Sequence, residues 1–172
     1  MEKAKLILAV TTLLGAGLIG AASLHRADRR TPDIIRYVAI NNSDEVIQLL
    51  NSEPSQVRAL DVDGSTPLHV AAYRGYPDMV KLLIDNGAEI DRPDKHGFTP
   101  LAEAVLAGGQ PQTRRAIVTS LLRAGANPRF TLPDGRTVID LAISLRGPRS
   151  HLADLLRGDS AKCNRRFADA AE

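Results

Sequence analysis

The chain has 172 residues, 44% of them hydrophobic and 24% charged, with 22 basic and 20 acidic side chains and a net charge of +2. That length suits one core plus a short appendage, and the composition excludes wholesale disorder and a multi-span membrane protein. The charge balance nominates no nucleic acid, the single cysteine (Cys163) excludes a disulfide framework and a cysteine zinc site, and an aromatic content of 3% without Trp requires an aliphatic core.

The first predicted element is Leu6 to Leu24, nineteen residues without a charge, preceded by Lys3 and Lys5 and followed by Arg26, Asp28, Arg29 and Arg30. A helix of that length rises about 28 Å, close to the thickness of a bilayer's hydrocarbon core. Residues 1–30 are therefore expected to target a membrane. Two versions fit. Leu6 to Leu14 followed by Gly-Ala-rich sequence reads as a secretory signal, with Gly20-Ala21-Ala22 or Ala21-Ala22-Ser23 as its cleavage site. The full nineteen residues suit an uncleaved signal anchor. The basic flanks nearly tie, so orientation is not fixed by them. The short N-terminal tail favours N-terminus in, remainder outside.

Residues 31–158 follow as four units: about 31–60, 61–93, 94–131 and 132–158. A shift of 33 carries Gly64, Thr66, Pro67 and Gly75 onto Gly97, Thr99, Pro100 and Gly108. A shift of 38 carries Asn86-Gly87-Ala88 onto Ala124-Gly125-Ala126, Gly97 onto Gly135, and Thr99 onto Thr137. An insertion of about five residues thus falls within Gly109 to Thr113. The first unit is degenerate, matching through Asn41-Asn42 and Leu49-Leu50, with Asp33 and Ser43 expected as helix N-caps. In the second unit, Thr66 is expected to cap a helix that Pro67 begins. Leu68, Ala71 and Ala72 form its apolar face, and Gly75 ends it. Pro77 and Asp78 open the next helix, which buries Met79, Val80, Leu82, Leu83 and Ile84 and closes at Gly87. The fourth unit keeps Thr137 but has Val138 in place of Pro. Its second helix, about Ser150 to Arg157, carries His151, Asp154 and Arg157, a polar load suited to a terminal cap. Residues 159–172 form a polar tail.

The combination Thr66-Pro67-Leu68-His69-Val70-Ala71-Ala72, Gly75, Val80-Lys81-Leu82-Leu83 and Asn86-Gly87-Ala88 at a period of 33 resembles the ankyrin repeat. The resemblance implies an all-α solenoid of about four helix pairs joined by β-turn or hairpin loops. One pair cannot bury its apolar face, so stacked units share a continuous core. It also implies a structural role for His69, bonded to backbone and Thr groups across turns. A membrane-targeting segment followed by a few repeats resembles small bacterial envelope proteins, some of which are immunity or accessory factors for a neighbouring protein.

Catalytic and cofactor signatures do not emerge. His25, His69, His96 and His151 show no ligand spacing. Asp61, Asp63, Asp91 and Asp94 recur with the repeat, as turn residues do. Phosphate loops, nucleophile elbows and metal-binding His pairs are missing from the sequence. The pairs Arg114-Arg115 and Arg165-Arg166 lack aromatic partners and read as solvated helix faces. The expected function is non-enzymatic protein binding, with no cofactor, no metal and no nucleic acid. The repeat domain is expected to be monomeric, in the cell envelope, either inner-membrane-anchored or periplasmic. A cytoplasmic-facing membrane-tethered adaptor is the alternative, and a redox-linked enzyme accessory acting through Cys163 a third. By the resemblance, partner contacts fall on turn tips and exposed first-helix positions: Val62, Asp63, Ser65, Tyr73 and Arg74; Lys95, His96, Phe98, Leu106 and Ala107; and Arg136. Phe98 is the expected anchor, because a Phe beside a turn glycine is poorly placed for burial between helices. Packing on the neighbouring turn is the alternative for it.

Overall fold

The computed structural model describes residues 31–147 and 150–158. The Leu6 to Leu24 segment, His25, Cys163 and the 159–172 tail lie outside the described residues. Among those described, no helix is long and apolar enough to cross a membrane.

The described residues from Pro32 onward form one compact unit of four helix pairs. These are α1 (Asp33–Ala39) with α2 (Ser43–Ser52), α3 (Pro67–Arg74) with α4 (Pro77–Asp85), α5 (Pro100–Leu106) with α6 (Pro111–Arg123), and α7 (Val138–Arg146) with α8 (His151–Leu156). A 3₁₀ turn at Pro54–Arg58 follows α2. The first helices pack in a row, α1 on α3, α3 on α5, α5 on α7, and the second helices stack behind them, α4 on α6 and α6 on α8. No strand forms among the described residues; the connecting turns close as hairpins, with one isolated bridge between Thr131 and Thr137.

Local chemistry explains the repetition. Thr66, Thr99 and Thr137 each cap a first helix, their hydroxyls accepting the backbone N–H three residues on, from His69, Ala102 and Asp140. Pro67 and Pro100 begin their helices where the missing N–H costs nothing. Ala71, Ala72, Ala102, Ala104 and Ala142 are fully buried, and their small side chains let the first helices approach closely. Met79, Val80 and Leu83 are buried from α4, and Ile117, Val118 and Leu121 from α6. Leu82 and Ile84 are half-buried at the margin.

Several expectations shift. Asp33 and Ser43 are first helical residues, not caps: the caps are Pro32 and Asn42, and the Asn42 amide oxygen accepts the Glu45 N–H. Asp33 instead pairs with Arg36 at 3.0 Å. Ser150 caps α8, accepting the Ala153 N–H. Asp154 on α8 is buried rather than part of a polar outer face, with Arg157 3.8 Å away.

The insertion lengthens the connection between α5 and α6 and adds a first turn to α6. That helix has thirteen residues against nine in α4, because Pro111 begins it about one turn before the position aligned with Pro77. The change alters how α5 ends. In α3 the C-cap is Gly75 in the left-handed region (φ 81°). Gly108, its aligned counterpart, has no such φ; Gly109 does (φ 87°), and α5 ends on Ala107 at φ −49°, ψ 135°. The Ala107 carbonyl is taken by Arg114 from the added turn, through Nε at 3.0 Å and Nη2 at 2.6 Å. Arg114 is therefore 6% exposed, a correction to its reading as a solvated surface residue. Burial, with Arg146 nearby, lowers its pKa. A guanidinium nevertheless keeps its charge in proteins.

Candidate functional site

The turn tips are built by aspartates bonding to their own backbone. Asp61 Oδ1 accepts the N–H groups of Asp63 (2.9 Å) and Ser65 (2.8 Å); Asp94 Oδ1 accepts those of His96 and Phe98, both at 2.9 Å. Asp91 accepts the Asn127 N–H at 3.0 Å, tying one unit to the next. These carboxylates are turn and linkage groups, as their recurrence with the repeat predicts. In the fourth unit a buried Leu132 stands where Asp61 and Asp94 stand, and the hairpin keeps its backbone bond, Leu132 N–H to Arg136 carbonyl at 2.8 Å. Asp134 supplies the side-chain bonds there, and Arg136, an expected contact residue, is fixed to it at 2.6 Å. Hydrogen bonds from Arg136 hold the Asp134 carboxyl below its ordinary value.

Successive tips are joined. The Lys95 backbone N–H donates to the Asp63 carbonyl at 2.9 Å, and its ammonium donates to the Val62 carbonyl. Pro133 occupies the equivalent of Lys95 in the next unit and has no N–H to offer. Its ring packs on Gly97 instead: a Cβ built on Gly97 would lie 2.4 Å from Pro133 Cγ.

His69 is buried and structural. Nδ1 accepts the Thr66 N–H at 3.1 Å and lies 2.8 Å from Thr66 Oγ1, while Nε2 lies 3.0 Å from the Phe98 carbonyl. A carbonyl only accepts, so Nε2 carries the proton and the ring is neutral. The imidazole thus caps α3 and bolts the second unit to the third. Burial lowers its pKa, outweighing its bond to Phe98 and the nearby Asp94 and Asp61. The sign follows: the unfolded imidazole, with a pKa of about 6.5, takes a proton more readily than the folded one. The stability His69 confers is complete above that pH and falls as pH drops through it. Between about pH 7.5 and about pH 5.5, urea unfolding is expected to show a larger loss of stability in wild type than in His69→Gln. Equal losses would remove His69 as the cause.

The expected contact residues separate into groups. Val62 (47% exposed), Tyr73 (57%) and Leu106 (37%) are exposed, as are Asp63, Arg74, Lys95, His96 and Arg136. Ser65 is half-buried. Ala107 is buried at 2%; its carbonyl serves Arg114, and it offers no contact surface. Phe98 is half-buried and packs against the core. Its backbone serves the Asp94 turn and His69, so it belongs to the joint between units and is not a free anchor.

Between α3 and α5 lies a cavity of about 270 Å³ lined by Ser65, His69, Val70, Tyr73, Arg74 and Glu103. Sequence reading passed over Glu103, although a signal was present: it stands where the second and fourth units carry Val70 and Leu141. Burial and the neighbouring Asp94 raise its carboxyl pKa, against a smaller opposing effect of His96. Larger cavities of about 730 and 630 Å³ lie along α6, the segment after it and α8. They touch none of the expected contact residues. Charge is segregated along the chain. From Asp33 to Glu103 there are twelve acidic and six basic side chains; from Ala104 to Gly158 there are three acidic and eight basic.

The sequence profile of the family described as ankyrin repeats (3 copies) matches residues 35–132. The match ends before the fourth helix pair, although Thr137 repeats the cap of Thr66 and Thr99. Among curated relatives, an ankyrin repeat and SAM domain-containing protein 6 of Mus musculus is 32% identical over 139 residues, covering 80% of this chain and 15% of that protein. A putative ankyrin repeat protein of Rickettsia bellii is 34% identical over 84 residues, 49% of this chain and 34% of that protein. The serine/threonine-protein kinase VIK of Arabidopsis thaliana is 41% identical over 75 residues, 44% of this chain and 17% of that protein. The chain thus spans between about a seventh and a third of the length of these relatives.

Proposed function

The chain belongs to the ankyrin repeat family, whose repeats are protein–protein interaction modules, and from that premise we propose that it is a non-enzymatic binding protein of the cell envelope. The proposed contact surface runs over the turn tips and first helices of the second and third units. One observation carries this reading. Val62, Asp63, Tyr73, Arg74, His96 and Leu106 are exposed on elements whose other side chains, Glu103 apart, mostly serve caps, turns or core. Exposed Tyr and Arg side chains are frequent interface anchors. His69 and the turn aspartates, the groups most suggestive of chemistry, are occupied in holding the fold.

The envelope location rests on Leu6 to Leu24, an uncharged stretch long enough to span a bilayer. We place the repeats on the outer side of the inner membrane, tethered or released. An intact Met1 terminus in the mature protein marks the anchor, and its loss with about 22 residues marks the signal. An immunity or accessory role for a neighbouring protein fits this arrangement.

The test replaces Tyr73, Arg74 and Leu106 together by alanine. All three are exposed, so melting should change little. Affinity for a partner captured from membranes is expected to fall by about 2 kcal/mol or more, as at interface hot spots. A folded triple variant that holds the partner at wild-type affinity would move the interface elsewhere.

A further inference from the structure

The cavity between α3 and α5 has in its wall a half-buried carboxyl that the fold does not use. Glu103 is half-buried in its wall, yet among the described residues its carboxylate has no hydrogen-bond or ion-pair partner. Elsewhere the turn carboxylates are spoken for: Asp61 and Asp94 by their turns, Asp91 by Asn127. Arg74 lines the same cavity without forming an ion pair with Glu103. Tyr73 forms an exposed aromatic wall beside it, and Ser65 adds a hydroxyl. Asp94 is a second carboxylate near enough to act on Glu103.

A carboxylate withdrawn partly from water, with no partner, next to an exposed aromatic face, is complementary to a side-chain cation. The cation gains an ion pair and a ring contact together. The two carboxylates, Glu103 and Asp94, attract a positive side chain and repel a negative one. We propose that this cavity receives a lysine or arginine side chain from a basic segment of the partner protein, with Glu103 as its counter-ion and Tyr73 as its aromatic wall. The proposal rests on the binding function above and adds the partner's chemistry. A cation seated there would also reverse the present trend at Glu103, bringing its carboxyl back down from the raised value that burial and Asp94 impose. The other charged or titratable groups near it are Asp94, Arg74, His96 and His69.

The experiment uses the full chain in a neutral detergent, with fluorescein-labelled octa-arginine, octa-citrulline and octa-glutamate peptides as probes at near-physiological salt. Anisotropy titrations compare wild type with Glu103→Gln, Tyr73→Ala and Asp85→Asn. The last removes the same charge from an exposed position at the end of α4, away from the cavity lining. Octa-arginine is expected to bind and the neutral and acidic peptides are not. Glu103→Gln should weaken binding about tenfold, more than an exposed ion pair and less than a fully buried one. Tyr73→Ala should weaken it about threefold to tenfold, and Asp85→Asn less than twofold. In ¹³C-carboxyl titrations the Glu103 pKa should drop when octa-arginine is added. Equal effects of Glu103→Gln and Asp85→Asn, or an unmoved Glu103 pKa, would overturn the proposal. If a captured partner depends on Tyr73, Arg74 and Leu106 but binds Glu103→Gln at wild-type affinity, this inference fails while the binding reading stands.

Discussion

Gly97→Ala is expected to destabilise the repeat domain by about 3 kcal/mol. Two costs add. The backbone there has φ 78°, a region that costs an L-residue about 1–2 kcal/mol. The new methyl would also meet Pro133 Cγ at 2.4 Å and Cδ at 2.9 Å. A proline ring cannot swing aside, so the tip of the fourth unit must lift from that of the third, as with other overpacked sites, at about 1–3 kcal/mol. Gly135→Ala separates the terms. It has nearly the same φ, 81°, and nothing within 4 Å of its Cβ position, so it should cost only about 1–2 kcal/mol. Changing Pro133 to alanine in the Gly97→Ala background should recover part of the difference. Urea unfolding followed by circular dichroism gives all the values. Equal losses for Gly97→Ala and Gly135→Ala would mean that the two tips are not tightly stacked.

Arg114→Ala should cost about as much, roughly 3 kcal/mol, for a different reason. It removes two charge-assisted bonds and leaves the Ala107 carbonyl without its partner; stranded buried acceptors cost about 1–3 kcal/mol and bonds to charged groups contribute about 1.5–3 kcal/mol. Arg114→Lys should recover part of the loss: an ammonium keeps the charge but not the planar fork that bonds one oxygen through two N–H groups. Gln112→Ala, exposed on the same added turn, should stay within about 0.5 kcal/mol of wild type. A small effect of Arg114→Ala in the same urea series would show that α5 ends without it.

The parts of the fold that were legible are those set by local chemistry repeated at a fixed spacing. Thr66, Thr99 and Thr137, with the glycines of the turns, carry both the caps and the period, so the helix starts could be read before any packing was known. Misjudged positions are those where the next unit decides. Phe98 beside its glycine looks exposed within its own turn, and only the core beneath and the His69 bond from the preceding unit reveal its burial. Arg114 reads as half of a solvated pair on a helix face because the sequence does not show where α5 ends relative to that face. Once Pro111 begins α6 a turn early, the side chain points at the uncapped end of α5. Asp154 was misplaced for a similar reason, since sequence pattern does not tell which face of a six-residue helix meets its neighbour. At the proposed contact surface, the tip and first-helix positions follow from the family resemblance. Glu103 could have been found by aligning it with Val70 and Leu141, where a charge among apolar residues signals a position released from the core.

The central claim, that the first-helix and tip face of the second and third units contacts a protein partner, is tested most directly by photo-crosslinking in intact cells. A benzophenone-bearing phenylalanine analogue is placed at Tyr73 in one strain and at Asn86 in another. Both positions are exposed; Asn86 lies at the end of α4, on the second-helix row. The account predicts a discrete crosslinked protein from position 73 and none from position 86. A crosslink from position 86 with none from position 73 would contradict it.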